Sequence, residues 1–88
     1  MNESQWIEQL EEEGYQGVQV FSKDAGTEWP SHTHEKTTVH VILSGELSEG
    51  DENGSRVHRA DDRFEIFAGS AHWAKCGDAG CTFIVGWR

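Results

Sequence analysis

Gly26-Thr-Glu-Trp29-Pro-Ser-His32-Thr-His34-Glu-Lys-Thr-Thr38-Val-His40-Val-Ile-Leu-Ser-Gly45 is the stretch from which the rest of the chain is read. Three of the five histidines fall in it, at His32, His34 and His40, ahead of an apolar run that closes on a glycine. On a strand, successive side chains point to opposite faces, so His32 and His34 are predicted to share one face. Two imidazoles side by side on a rigid strand form half of a nitrogen-rich metal site. A second stretch, Phe64 to Cys76, brings His72 behind a Gly-Ser-Ala turn and offers the next ligand.

Working outward, residues 2–13 read as a short helix. Asn2 or Ser4 can cap it, Trp6, Ile7 and Leu10 form one apolar stripe, and Gly14 is placed to end it. The carboxylates crowded at Glu11, Glu12 and Glu13 oppose the helix dipole and favour fraying of the last turn. From Tyr15 the period changes to that of strands: Val18 to Phe21, the apolar run after Thr38, Glu46 to Glu49, Ser55 to Arg59, Phe64 to Phe67, His72 to Cys76 and Cys81 to Trp87. Asn53-Gly54, Asp61-Asp62, Gly69-Ser70 and Gly77-Asp78-Ala79-Gly80 are the predicted turns. Many short strands with turns every few residues predict an all-β barrel or sandwich, residues 15–88, behind one helix in residues 1–14. No second domain or linker is visible.

With 88 residues, the chain buries only about 60–65% of its unfolded surface, so a metal or a partner subunit would add stability. A net charge of −9 argues against nucleic acid and anionic membrane as partners. No apolar run approaches the length of a bilayer span, and the N-terminal residues have no signal-peptide pattern. The two cysteines, Cys76 and Cys81, give no disulfide framework and read as thiols in the core. A cytoplasmic location is the resulting expectation. His58, on a polar strand, is expected at the surface. Trp6, Trp73 and Trp87 are expected in core or dimer contacts, and an apolar outer sheet face predicts a homodimer.

These features resemble a small single-domain cupin. The family's first motif is a glycine, five residues, His-x-His, three or four residues, a glutamate, six residues and a glycine. Gly26, His32, His34 and Gly45 fall on that spacing, with Thr38 at the glutamate position. In the second motif Gly69 and His72 match, while Asp61 replaces the first glycine, Phe67 the proline and Cys76 the asparagine. The resemblance covers roughly residues 15–87. It implies a small antiparallel jelly-roll barrel with a metal site inside, and it implies no particular reaction.

The residues themselves carry the chemistry further. His32, His34 and His72 are the candidate ligands, against the alternative of polar histidines at a barrel mouth or on a surface loop. Thr38 is a poor ligand at neutral pH, and Glu35 points to the opposite face of a regular strand. Three neutral imidazoles would leave a divalent ion its full charge and open positions, which favours a small anionic, chelating ligand. Imidazole suits Fe, Zn, Ni, Cu or Mn. The missing carboxylate also weakens affinity, so the site could be empty. Trp29 and Thr38 are expected to line the pocket. His40 is expected there as a further ligand, a support for one, a weak candidate general base, or simply core. Among cupins, three-histidine sites of this kind resemble those of certain iron dioxygenases. Three function classes follow: an enzyme of dioxygenase or isomerase type, a non-catalytic ligand-binding or sensing module, and a metal-free structural dimer.

Overall fold

The computed structural model describes all 88 residues. Its elements are one helix, α1 (Glu3–Glu12), and six strands: β1 (Gln16–Lys23), β2 (Glu28–His32), β3 (Thr38–Asp51), β4 (Gly54–His58), β5 (Arg63–Ile66) and β6 (His72–Trp87). All strands join one antiparallel sheet in the order β1-β6-β3-β4, with β2 added on β6 and β5 on β3. The sheet is curled and not closed.

β3 and β6 are the spine. Their C-terminal and N-terminal halves pair from Leu47↔Cys76 to Gly50↔Trp73, and their other halves from Thr38↔Trp87 to Gly45↔Cys81. The short strands flank this ladder: β1 and β2 lie along the two halves of β6, β5 and β4 along the two halves of β3. The ladder bends at Gly45, whose φ of 75° is open to glycine alone at low cost. A Cβ at Gly45 would also overlap the backbone carbonyl of Gly80.

Strand alternation then sorts the side chains into two cores. Val39, Val41 and Ile84 face outward, where Leu10 and Tyr15 cover them together with Trp6 and Ile7 of α1. Ile42, Leu47, Phe64, Ile66, Ala74 and Phe83 face inward. The helix starts as expected, with Asn2 and Gln5 forming a reciprocal cap. Its acidic end is held by an ion pair: Arg63 donates to both carboxylate oxygens of Glu13, at 2.8 and 2.6 Å. That bond and one from Gln9 lower the Glu13 carboxyl to about 2. The charge crowding that favoured fraying is thereby neutralised. No helix is long and apolar enough to cross a membrane.

Five expectations are corrected. The hairpin turn is Glu52-Asn53, because Asp51 pairs with Gly54, which carries its positive φ inside β4. Gly77–Gly80 does not end a strand: β6 runs through it, although these residues leave the β3 ladder at the bend. β2 ends at His32, so His34 stands in the following loop and not beside His32 on a strand. His58 is buried, as the register Leu47↔His58 turns it inward. Cys76 and Cys81 are both buried in the inner core as expected, but they are joined as a disulfide across the bend. The bend brings their Cα atoms to 5.6 Å, within disulfide reach. Free thiols were one reason to expect a reducing compartment, and that reason falls with the pairing.

Candidate metal centre

Three elements converge at one end of the inner face. The register His32↔His72 sets the two imidazoles on neighbouring strands, and the loop after β2 folds His34 back over them. That loop is fastened to the turn before β6, where Gly69 donates its N–H to the His34 carbonyl at 2.9 Å. The ring centroids of His32, His34 and His72 lie 4.5–5.1 Å from one another. His34 Nε2 is 3.0 Å from His32 Nε2 and 3.0 Å from His72 Nε2.

This donor set fits a metal ion. The His32 Nδ1 atom lies 2.6 Å from the Pro30 carbonyl, which can only accept, so Nδ1 carries the proton and Nε2 presents a lone pair to the centre. One proton on His34 Nε2 cannot satisfy two N···N contacts at once, whereas a cation at the centre satisfies all three lone pairs. Nitrogens bound at about 2.0–2.1 Å to one ion stand about 2.8–3.0 Å apart in octahedral and about 3.3–3.4 Å apart in tetrahedral neighbouring positions. His34 and His72 have their pKa values lowered, first by burial and then by the neighbouring histidines, which favours the neutral form that ligates. The three side chains form a group that could hold a metal ion.

The centre opens into a cavity of about 260 Å³. Trp29 and His40 line it. Thr38 does not: it is buried at the start of β3, paired with Ile66 and Trp87, and its hydroxyl has no hydrogen-bond partner. Glu35 is exposed in the loop. No carboxylate therefore takes the place of the missing glutamate among the three nitrogens. His40 stacks flat on Phe64, with centroids 4.7 Å apart, and sits 6.4 Å from the His72 ring. Its Nδ1 is buried without a partner, and burial, reinforced by His72 and His34, lowers its pKa to about 3. At neutral pH it is an uncharged imidazole beside the centre. So low a value opposes a general-base role, because such a base has little tendency to take a proton.

Sequence reasoning missed a second polar group. Glu49 is 2% exposed, and its Oε1 accepts hydrogen bonds from Arg56 Nε at 3.1 Å and His58 Nε2 at 3.0 Å. His58 stacks on the face of Phe64 at 4.0 Å, and Phe64 in turn lines the cavity. The signal was available: Leu47 and Glu49 share a face, so an apolar Leu47 turned inward carries Glu49 with it.

No family model matches the chain. No curated protein matches it either. Solved structures do. An RmlC-like cupin from Shewanella frigidimarina is 24% identical, over 80% of this chain and 62% of that one, with a TM-score of 0.71. A cupin superfamily protein from Desulfitobacterium hafniense is 17% identical, over 80% and 63%, with a TM-score of 0.72. The DMSP lyase DddQ from Ruegeria pomeroyi is 26% identical, over 81% and 36%, with a TM-score of 0.73. The chain thus spans less than two thirds of the length of each of these structures. The likeness establishes the fold: the chain has a small cupin fold.

Proposed function

We propose that this cupin-fold chain binds one divalent transition-metal ion through His32, His34 and His72 and uses it to hold a small anionic metabolite. The observation that carries the reading is the convergence of three neutral imidazole nitrogens with no carboxylate among them. When bound, Fe, Zn, Ni, Cu or Mn would supply Lewis acidity and an uncompensated positive charge for an anionic, chelating head group. The residues of the chain do the rest. His32 is oriented by the Pro30 carbonyl, His72 by its pairing with His32, and His34 by the tether to Gly69. His40 contributes a neutral imidazole to the same pocket, and the apolar walls keep water from the head group.

Within this reading, turnover of dioxygenase or isomerase type and binding without turnover both remain open to the site. The depressed pKa of His40 favours the second, a ligand-binding or sensing module, since it leaves that imidazole a poor general base. Homodimer assembly belongs to the same proposal, and sedimentation at micromolar concentration tests it. Lyase activity is a property of the Ruegeria protein and is not transferred here. The direct test is a zinc titration in competition with a chromophoric chelator, on the wild type and on His34→Ala. Stoichiometric uptake that the variant loses supports the proposal, and equal uptake by both contradicts it.

A further inference from the structure

The proposed function leaves the ligand as any small anion. The cavity is more selective than that. The chain carries 16 acidic residues, yet none of them lines the pocket, and the one charged side chain that does is Lys23. In so acidic a protein, a lining free of carboxylates and bearing a lysine is an electrostatic preference for an anion. The rest of the wall is mainly apolar and strongly aromatic. Phe83 is its hub: its ring lies 5.9 Å from Trp29 edge-on, 6.0 Å from Phe21 and 6.4 Å from His40. Phe64, stacked on His40, is part of the same wall. At the mouth, on the edge strand β1, Phe21 is 37% exposed and the Lys23 ammonium sits 5.7 Å over its ring.

We infer that the ligand of this pocket is an amphipathic acid: a chelating carboxylate head that reaches the three histidines, joined to an aromatic or compact branched apolar body seated against Phe83, Trp29 and Phe21. The inference rests on the proposed function and adds the body to the head. Its physical basis is that an aromatic lining offers nothing to a hydrophilic acid beyond the metal, whereas an aryl group gains both buried area and edge-to-face contacts. A cavity of about 260 Å³ has room for one ring with a short acid side chain. Lys23, held over Phe21 at the rim, adds long-range attraction for the anion and little specificity.

The test uses two acids that share one chelating head. Zinc content is first fixed at one per chain, and the loaded protein is then titrated calorimetrically with mandelate and with lactate. Mandelate is expected to bind about tenfold tighter or more, the gain that apolar pocket contacts give. Phe21→Ala, at the rim and away from the metal, is expected to cut that ratio toward one without changing zinc content. Lys23→Gln is expected to weaken both acids alike, by about two- to fivefold. Equal affinities for the two acids overturn this inference and leave the metal-anion reading standing. Binding of neither acid to fully loaded protein overturns it too, with the metal count still supporting the centre. A protein that takes up no zinc removes both readings together.

Discussion

His34 and His72 are separated by 38 residues in sequence, and their Nε2 atoms meet at 3.0 Å. One comes from a loop and the other from the first residue of β6, so the contact exists only when the loop after β2 is folded back and tied through Gly69. The centre is therefore a property of the tertiary fold, and metal bound there stabilises the folded state by mass action. Thermal unfolding should shift upward with added zinc in the wild type and stay fixed in His34→Ala. An equal shift in both would mean that the ion binds elsewhere.

Acid should weaken the metal-free protein. The folded-state pKa of His40 is about 3, below the unfolded value near 6.5, so the unfolded chain takes up the proton first as the pH falls. The stability that the neutral imidazole contributes is fully present above about pH 6.5 and is lost progressively toward pH 3. His34 and His72 are shifted in the same direction. In chelator-treated protein, urea stability should fall by about 1.4 kcal/mol per pH unit for His40 alone below pH 6. His40→Phe, which keeps a ring stacked on Phe64, should remove that share of the slope. An unchanged slope would refute the assignment.

Gly45→Ala should be among the most destabilising single changes. It combines a positive φ with overlap of the Gly80 carbonyl at the bend, where both spine strands turn. A loss of about 3 kcal/mol or more is expected in urea unfolding. Gly26, also at positive φ but with open space around it, should tolerate alanine at about 1 kcal/mol.

The buried pair offers a sharper test of its own energetics. Glu49→Ala leaves His58 buried without its acceptor and should cost about 3 kcal/mol. Glu49→Met combined with His58→Phe replaces both partners by apolar groups of similar size and should recover most of that loss. A double variant as unstable as Glu49→Ala would show that the pair is worth more than its replacement.

Reduction of the Cys76–Cys81 bond opens a loop of only four intervening residues. Loop-closure entropy then predicts a loss of about 2 kcal/mol, and Cys76→Ser with Cys81→Ser should unfold correspondingly earlier than the oxidised wild type. Identical unfolding with and without reductant would contradict this.

Much of the fold was legible because local signals and global pattern agree. Asn2 and Gly14 bracket the helix, and the apolar residues of β3 and β6 announce buried strands. What escaped was set by long-range geometry. Gly77–Gly80 has the composition of a turn, yet the bend at Gly45 lets the chain pass through it without leaving β6. The same bend, invisible in the spacing of five residues, brings the two cysteines together. His32, His34 and His72 could be picked out by residue type and spacing, although the strand-face argument failed for His34, which a loop delivers. His58 was misplaced because the polar composition of its strand reads as surface, while the register Leu47↔His58 sets it on the inward face beside an apolar residue. Thr38 was assigned to the pocket by motif position, while its place at the start of β3 keeps it behind the cavity wall.

The central claim is that three histidines hold one metal ion. Elemental analysis of protein purified without a metal-binding tag and loaded anaerobically, compared with His32→Ala/His72→Ala prepared identically, tests it most directly. The account predicts about one transition-metal ion per chain in the wild type and almost none in the variant. Metal-free wild type after loading, or equal metal in both proteins, would contradict it.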